Sequence, residues 1–162
     1  MVAATKPQTG GCQCGRIRYE IDTAAILTLY CCHCRECQRQ SSSGFGLSMR
    51  LPRDAFRLTQ GALATWSRPT DRGGVTICHF CADCGTRIYH ASPDPEASIS
   101  LKAGSLDDTG WLKPVGHLWV SRAQPWLQIC NDLLVYQGQP DTYDDLIARY
   151  RRQMSAGDEP TA

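Results

Sequence analysis

The chain has 162 residues, of which 42% are hydrophobic and 20% are charged, and its formal net charge is +1. These values are typical of one globular domain and exclude a chain that is disordered throughout. The near-neutral charge argues against nucleic acid or an anionic membrane as a partner. The ten cysteines, by contrast, are too many to be explained as ordinary core residues.

The first eleven residues lack the apolar segment of a secretory signal, and no stretch approaches the length of about eighteen apolar residues that a membrane span needs. We therefore expect a cytoplasmic protein with reduced thiols. In that compartment, clustered cysteines indicate metal binding or catalysis rather than disulfides. Residues 1–9 and 155–162 are predicted to be flexible tails around a single domain over residues 10–154.

Short runs of alternating apolar and polar residues, bounded by Gly and Pro, predict an antiparallel all-β domain. The predicted strands cover residues 16–21, 47–51, 63–67, 75–80, 98–103, 115–121 and 126–130. A short helix is predicted over residues 34–40. A C-terminal helix is predicted over residues 143–154, because Leu146, Ile147 and Tyr150 form an apolar stripe at helical spacing.

Four cysteines form two pairs with metal-ligand spacing, each followed by a glycine: Cys12-x-Cys14-Gly15 and Cys81-x-x-Cys84-Gly85. Two cysteines separated by one or two residues can reach adjacent corners of a zinc tetrahedron, and the glycine lets the backbone fold its amides toward the sulfurs. The simplest pairing places all four around one structural zinc. The alternative is a set of buried free thiols.

The central cysteines, Cys32, Cys34 and Cys37, offer three ligands within six residues. Three protein ligands and one exchangeable position are the pattern of a catalytic zinc. The alternatives are a second structural zinc completed by Cys31, His33 or Cys78, and an empty thiol cluster. We expect Cys31, Cys78 and Cys130 to pack in the core, and zinc rather than iron to be the metal.

These residues, taken together, are similar to the glutathione-dependent formaldehyde-activating enzyme family over roughly residues 10–130. The segments that carry the resemblance are Gly11–Tyr19, Cys32–Arg39, Phe80–Tyr89, Ala103–Asp108 and the later Pro114, His117, Trp119, Pro125 and Trp126. The resemblance implies a tent-like all-β fold related to zinc ribbons. It also implies two zinc ions per chain: a structural one on Cys12, Cys14, Cys81 and Cys84, and a second one on Cys32, Cys34 and Cys37.

The activity that the resemblance implies is a carbon–sulfur lyase or synthase reaction, in which glutathione and formaldehyde form S-(hydroxymethyl)glutathione. The family usually has Arg in place of Gln38 and Gly in place of Ser42. These departures favour an alternative substrate, another small thiol or carbonyl compound. A zinc-binding module without catalysis is the third hypothesis.

Glutathione carries two carboxylates, which arginine side chains can bind. The candidates are Arg35, Arg39 and Arg87. The alternative for each of them is that the side chain is solvated at the surface and binds no substrate. Candidates for proton transfer are His33, Glu36 and His90. The four tryptophans, Trp66, Trp111, Trp119 and Trp126, are predicted first of all to be core residues.

Overall fold

The computed structural model describes residues 7–130 and 132–156. The strands are β1 (Gln8–Gly11), β2 (Arg18–Ile21), β3 (Thr28–Cys32), β4 (Gly46–Leu51), β5 (Phe56–Gln60), β6 (Ala64–Pro69), β7 (Val75–Phe80), β8 (Arg87–Ala91), β9 (Ile99–Lys102), β10 (Gly116–Leu118) and β11 (Leu134–Val135). The α-helices are α1 (Arg35–Ser41) and α2 (Asp144–Ala156). The fold is therefore mainly antiparallel β-sheet with a C-terminal helix, as predicted.

The chain divides into two compact units. The first contains residues up to Ile26 and the segment Met49–Leu112, and the second contains Leu27–Ser48 and the residues from Lys113 onward. The boundary falls inside β4, between Ser48 and Met49. The expectation of a single domain over residues 10–154 stays a prediction.

The first unit is built from antiparallel strands. Strands β1, β2 and β5 form a three-stranded sheet with β2 at its centre, and β9, β8, β7 and β6 follow one another in a second set of paired strands. Alternate residues along these strands point to one side and form the core of the unit. The fully buried residues include Tyr19, Ile21, Leu51, Ile88, Ile99 and Leu101.

The second unit contains the parallel pairs of the fold. Strand β10 pairs in parallel with both β3 and β11, and α2 contributes the buried Leu146 and Tyr150. Gly116 allows the close packing of α2, since a Cβ at this position would lie 2.6 Å from Leu146 Cδ2. All five residues of β3 are buried, so this strand lacks the alternation that marks a half-exposed strand.

The structure corrects several boundaries. Gln8 and Thr9 belong to β1, inside the predicted N-terminal tail, because their backbones pair with Ile21 and Glu20. At the other end α2 extends to Ala156, two residues into the predicted C-terminal tail. The remaining tail residues, 1–6 and 157–162, lie outside the described residues.

The predicted strand over residues 126–130 is wrong. Pro125 has no N–H, and the Leu127 N–H donates to the Gln124 carbonyl at 3.0 Å, so the chain turns here. The predicted strand over residues 115–121 is also too long, since β10 ends at Leu118 and Trp119 adopts a φ of +60°. A left-handed residue of this kind interrupts a strand.

The predicted burial of the tryptophans and of Cys130 is wrong as well. Trp66 is 51% exposed and Trp126 is 70% exposed, whereas Trp111 and Trp119 are half-buried. Cys130 is exposed, because the turn at Pro125 removes its segment from any sheet. The other two predicted core thiols, Cys31 and Cys78, are buried. Among the described residues, no helix is long and apolar enough to cross a membrane.

Candidate metal centres

The first cysteine cluster lies in the first unit and joins two hairpin-like turns. The sulfur atoms of Cys12, Cys14, Cys81 and Cys84 all lie within 4.8 Å of one another. The Cys12–Cys14 and Cys14–Cys81 sulfur distances are 3.4 and 3.7 Å. Four sulfurs bound to one zinc at about 2.3 Å would be about 3.8 Å apart, so the spacing fits a tetrahedral metal ion.

Two similar turns produce this arrangement. The Gly15 N–H donates to the Cys12 carbonyl and the Gly85 N–H donates to the Cys81 carbonyl, at 3.0 and 2.9 Å. Both glycines have positive φ angles, +78° and +74°, which other residues adopt only with strain. Each trailing glycine therefore takes the left-handed conformation that its turn requires.

Thr86 connects the two turns. Its hydroxyl oxygen accepts from the Gln13 N–H at 3.1 Å and lies 3.2 Å from the Cys84 sulfur. The hydroxyl can thus donate to a Cys84 thiolate, and together with nearby backbone N–H groups it lowers the pKa of Cys84 to about 5. The Ile17 N–H donates to the Cys12 sulfur at 3.2 Å. Hydrogen bonds of this kind stabilise thiolates as metal ligands.

The second cysteine cluster lies in the second unit, where β3 ends and α1 begins. The sulfurs of Cys32, Cys34 and Cys37 also lie within 4.8 Å of one another. Cys34 is the N-cap of α1, and its sulfur accepts from the Cys37 N–H at 3.4 Å. The neighbouring Cys32 and Cys37 thiols, more than the backbone N–H groups, lower the pKa of Cys34 to about 2.

No fourth ligand atom from the described part of this unit joins the three sulfurs, whether from His, Cys, Asp or Glu. Cys31 and His33 are neighbours in sequence but are not part of the group, and Cys78 belongs to the other unit. Burial raises the pKa of Cys31 to about 12, as expected for a core thiol. The two clusters can therefore hold metal ions with different numbers of protein ligands, consistent with zinc.

Gln38 is the centre of a hydrogen-bond network beside the second cluster. Its side-chain nitrogen donates to the carbonyls of His33 and Arg122, at 2.6 and 2.8 Å. Its side-chain oxygen accepts from Arg35 and Gln124, at 3.2 and 2.8 Å. The amide is buried and makes four hydrogen bonds, so it fixes the loop that carries Cys34.

His33 is fully buried and pairs with His117 through a 2.9 Å contact between Nε2 and Nδ1. Burial, and to a lesser degree the neighbouring His117, lower the pKa of His33. Arg35 and Arg39 are exposed, and Arg39 forms an ion pair with the half-buried Glu36 at 3.1 Å. Sequence reasoning identified neither the His117 contact nor the Gln124 contact, because both partners are more than eighty positions away in the chain.

The two remaining candidates, Arg87 and His90, lie in the first unit. The Arg87 guanidinium lies 5.8 Å from the Trp66 ring centroid and 5.2 Å from that of Phe80. The structure therefore does not gather all predicted substrate residues within one unit. Ser42 ends α1 with a φ of +51°, a conformation that favours glycine.

The model of one protein family, the glutathione-dependent formaldehyde-activating enzymes, matches residues 7–122. The chain belongs to this family. Both cysteine clusters lie inside the matched segment. A solved crystal structure of a Rhodobacter sphaeroides protein is similar to this fold, with a TM-score of 0.50, 21% identity and coverage of 64% of this chain and 91% of that chain. At 21% identity, this similarity shows a shared fold alone.

Proposed function

We propose that the protein binds two zinc ions and catalyses the reversible addition of glutathione to formaldehyde. The observation that carries this proposal is the difference in ligand number: four cysteines in one cluster and three in the other, within their respective units. A four-cysteine zinc site is closed, whereas a three-cysteine site keeps one position for a substrate or water. Membership of the family supports the choice of substrates.

The reaction joins a thiol sulfur to the formaldehyde carbon. Zinc held by Cys32, Cys34 and Cys37 would supply a site at which a substrate thiol is bound as its thiolate, which is the nucleophilic form. In the overall reaction the carbon–sulfur bond forms, the carbonyl π bond opens and the oxygen takes up a proton. In the reverse direction the same sulfur is the leaving group, so the enzyme is a carbon–sulfur lyase in formal terms.

The residues of the second unit would orient glutathione rather than react with it. Arg35 is held by the Gln38 oxygen, so its guanidinium is positioned for a carboxylate. Arg39, with its Glu36 partner, is the further carboxylate-binding candidate of this unit. Glu36, which is half-buried, is the proposed proton-transfer group at the surface, with His33 of the same unit as the alternative.

We further propose that the protein acts in formaldehyde detoxification in the cytoplasm, a compartment in which its ten cysteines would stay reduced. The departures at Gln38 and Ser42 leave room for another small thiol or carbonyl substrate. Gln38, however, uses its amide for internal hydrogen bonds, which supports a structural role and leaves glutathione as the preferred substrate.

The test compares the wild-type chain with Cys34→Ser. We expect two zinc ions per wild-type chain by elemental analysis and one per Cys34→Ser chain, because one of the three ligands is lost. Exchange NMR on glutathione and formaldehyde would show accelerated interconversion with the wild-type chain and the uncatalysed rate with Cys34→Ser. Cys130→Ser, at an exposed thiol outside both clusters, is the control and retains both properties.

An interconversion rate that the wild-type chain leaves unchanged would contradict the glutathione reaction. Acceleration with another small thiol, such as free cysteine, would then identify the alternative substrate class. Four protein ligands at the second zinc, measured by X-ray absorption, would contradict the exchangeable position and favour a module without catalysis.

A further inference from the structure

A row of cross-strand partners defines one face of the sheet in the first unit. Trp66 on β6 lies opposite Cys78 on β7, Cys78 lies opposite His90 on β8, and His90 lies opposite Ser100 on β9. Directly opposed residues of paired antiparallel strands project from the same face. These four side chains therefore share one face, on the same unit as the four-cysteine cluster.

Four cationic side chains surround His90 on this unit. Arg68 and Lys102 lie two residues along their strands from Trp66 and Ser100, and so project from the same face. The Arg87 guanidinium lies over the Trp66 and Phe80 rings. Arg50 donates a hydrogen bond to the Ser98 hydroxyl. We call this set, Arg50, Arg68, Arg87 and Lys102 around His90, the basic face.

Two nitrogen atoms of the basic face are buried without an acceptor. Lys102 Nζ and Arg87 Nη1 are both excluded from solvent and have no hydrogen-bond partner. Within residues 7–130 and 132–156, neither side chain forms an ion pair. Buried cationic nitrogens are unfavourable unless an acceptor or an opposite charge is present. Each of these two donors is therefore available to an acceptor that the described residues do not supply.

The positive charges of the basic face also lower the pKa of His90. Burial and the charges of Lys102, Arg68, Arg50 and Arg87 hold the pKa of His90 well below its usual range. At neutral pH the imidazole is uncharged and offers one N–H donor. It can therefore contribute a hydrogen bond to an anion without adding a fifth positive charge.

We propose that the basic face binds a small oxyanion, a carboxylate or phosphate group, through Lys102 and Arg87. The arginine fork matches two oxygens of such a group, and the lysine ammonium supplies a point charge beside it. The inference goes beyond the proposed reaction, because the site needs neither a metal ion nor formaldehyde. It assigns a ligand to Lys102, a residue that belongs to neither cysteine cluster.

The test measures anion binding to the zinc-loaded full chain in the absence of formaldehyde. Inorganic phosphate and glutarate, a dicarboxylate without a thiol, are titrated while the His90 imidazole is observed by NMR. We expect saturable binding and a rise in the pKa of His90, because the anion offsets the neighbouring positive charges. The tighter of the two probes identifies the class of oxyanion.

Lys102→Met and Arg87→Gln each remove one proposed donor while keeping much of the side-chain volume. Each should weaken anion binding by about tenfold or more, since a hydrogen bond to a charged group is lost. Arg57→Gln, at an exposed arginine of the same unit, is the control and should bind as the wild-type chain does. Near-UV circular dichroism confirms that each variant is folded.

The proposal is overturned if neither probe binds the wild-type chain at millimolar concentration, or if both donor variants bind as tightly as the control. These outcomes are independent of the carbon–sulfur reaction. If the chain binds the anion but does not accelerate the glutathione reaction, the anion site is supported and the proposed function is contradicted. If the chain accelerates the reaction but does not bind the anion, the proposed function is supported and the anion site is contradicted.

Discussion

The two cysteine clusters reach similar sulfur spacings by different means. In the first, Cys14 and Cys81 are 67 positions apart in sequence, and two turns with trailing glycines bring them together. In the second cluster, the three cysteines are close in sequence, because they lie at the end of β3 and at the start of α1. They are positioned beside the Gln38 network. A metal ion in the first cluster would close a long loop, whereas one in the second would occupy a site that hydrogen bonds already shape.

The largest effect that this comparison predicts is the loss of the first cluster. We expect Cys84→Ser to destabilise the zinc-loaded chain by more than about 4 kcal/mol, because loss of a structural metal removes a long-range link. Chemical unfolding monitored by circular dichroism measures the change. The matched variant is Cys34→Ser, which should lose its metal ion and lower the free energy of unfolding by about 1 kcal/mol or less. Equal destabilisation by the two variants would remove the distinction between the clusters.

The sequence predicted both clusters because metal-ligand spacing is a local property. Pairs such as Cys81 and Cys84 are recognisable without knowledge of the fold, and the strands β4, β6 and β7 followed from their alternation. Strand β3 is different, since burial on both faces leaves no period of two to detect. The segment after Pro125 has the apolar residues of a strand, but Pro125 lacks the N–H that strand pairing needs, and the chain turns there instead.

The polar surroundings of the sites could not be predicted in the same way. Gln38 and Gln124 are 86 positions apart, and no periodic pattern relates them. The cations around His90 come from strands whose order in the sheet differs from their order in the chain. Contacts of this kind depend on the strand register, which a single sequence specifies only through the packed core.

The next largest effect concerns Gln38. Gln38→Leu leaves the carbonyls of His33 and Arg122 without their donor in a buried site, so we expect a loss of roughly 2–4 kcal/mol in the free energy of unfolding. Gln128→Leu, at an exposed glutamine of the same unit, should change it by about 0.5 kcal/mol or less. Urea unfolding at fixed zinc concentration measures both.

If hydrogen bonds rather than a fourth ligand shape the second cluster, Gln38→Leu should also weaken zinc binding there while the first cluster stays loaded. Competition with a chelator separates the two ions. Unchanged affinity at the second cluster would mean that the three cysteines position the metal without the network, and the contrast between the clusters would then rest on ligand number alone.

The smallest effect is a pH dependence specific to the unit that holds the four-cysteine cluster. The pKa of His90 is well below its usual range in the folded chain, because of burial and the surrounding positive charges. Below about pH 6.5 the unfolded chain gains a proton at this residue that the folded chain does not. The contribution of neutral His90 to stability is therefore present above that pH and is lost as the pH falls toward the folded pKa.

We expect the wild-type chain to lose about 1.4 kcal/mol more than His90→Gln when the pH falls to one unit below 6.5. Urea unfolding of both zinc-loaded proteins at pH 7.5 and 5.5 provides the measurement, and proton competition at the cysteines cancels in the difference. Equal losses in the two proteins would contradict the low pKa. Saturating phosphate should reduce the difference, because an anion on the basic face offsets the charges that lower the pKa of His90. The acid sensitivity of this unit would then depend on its anion as well as on its metal ion.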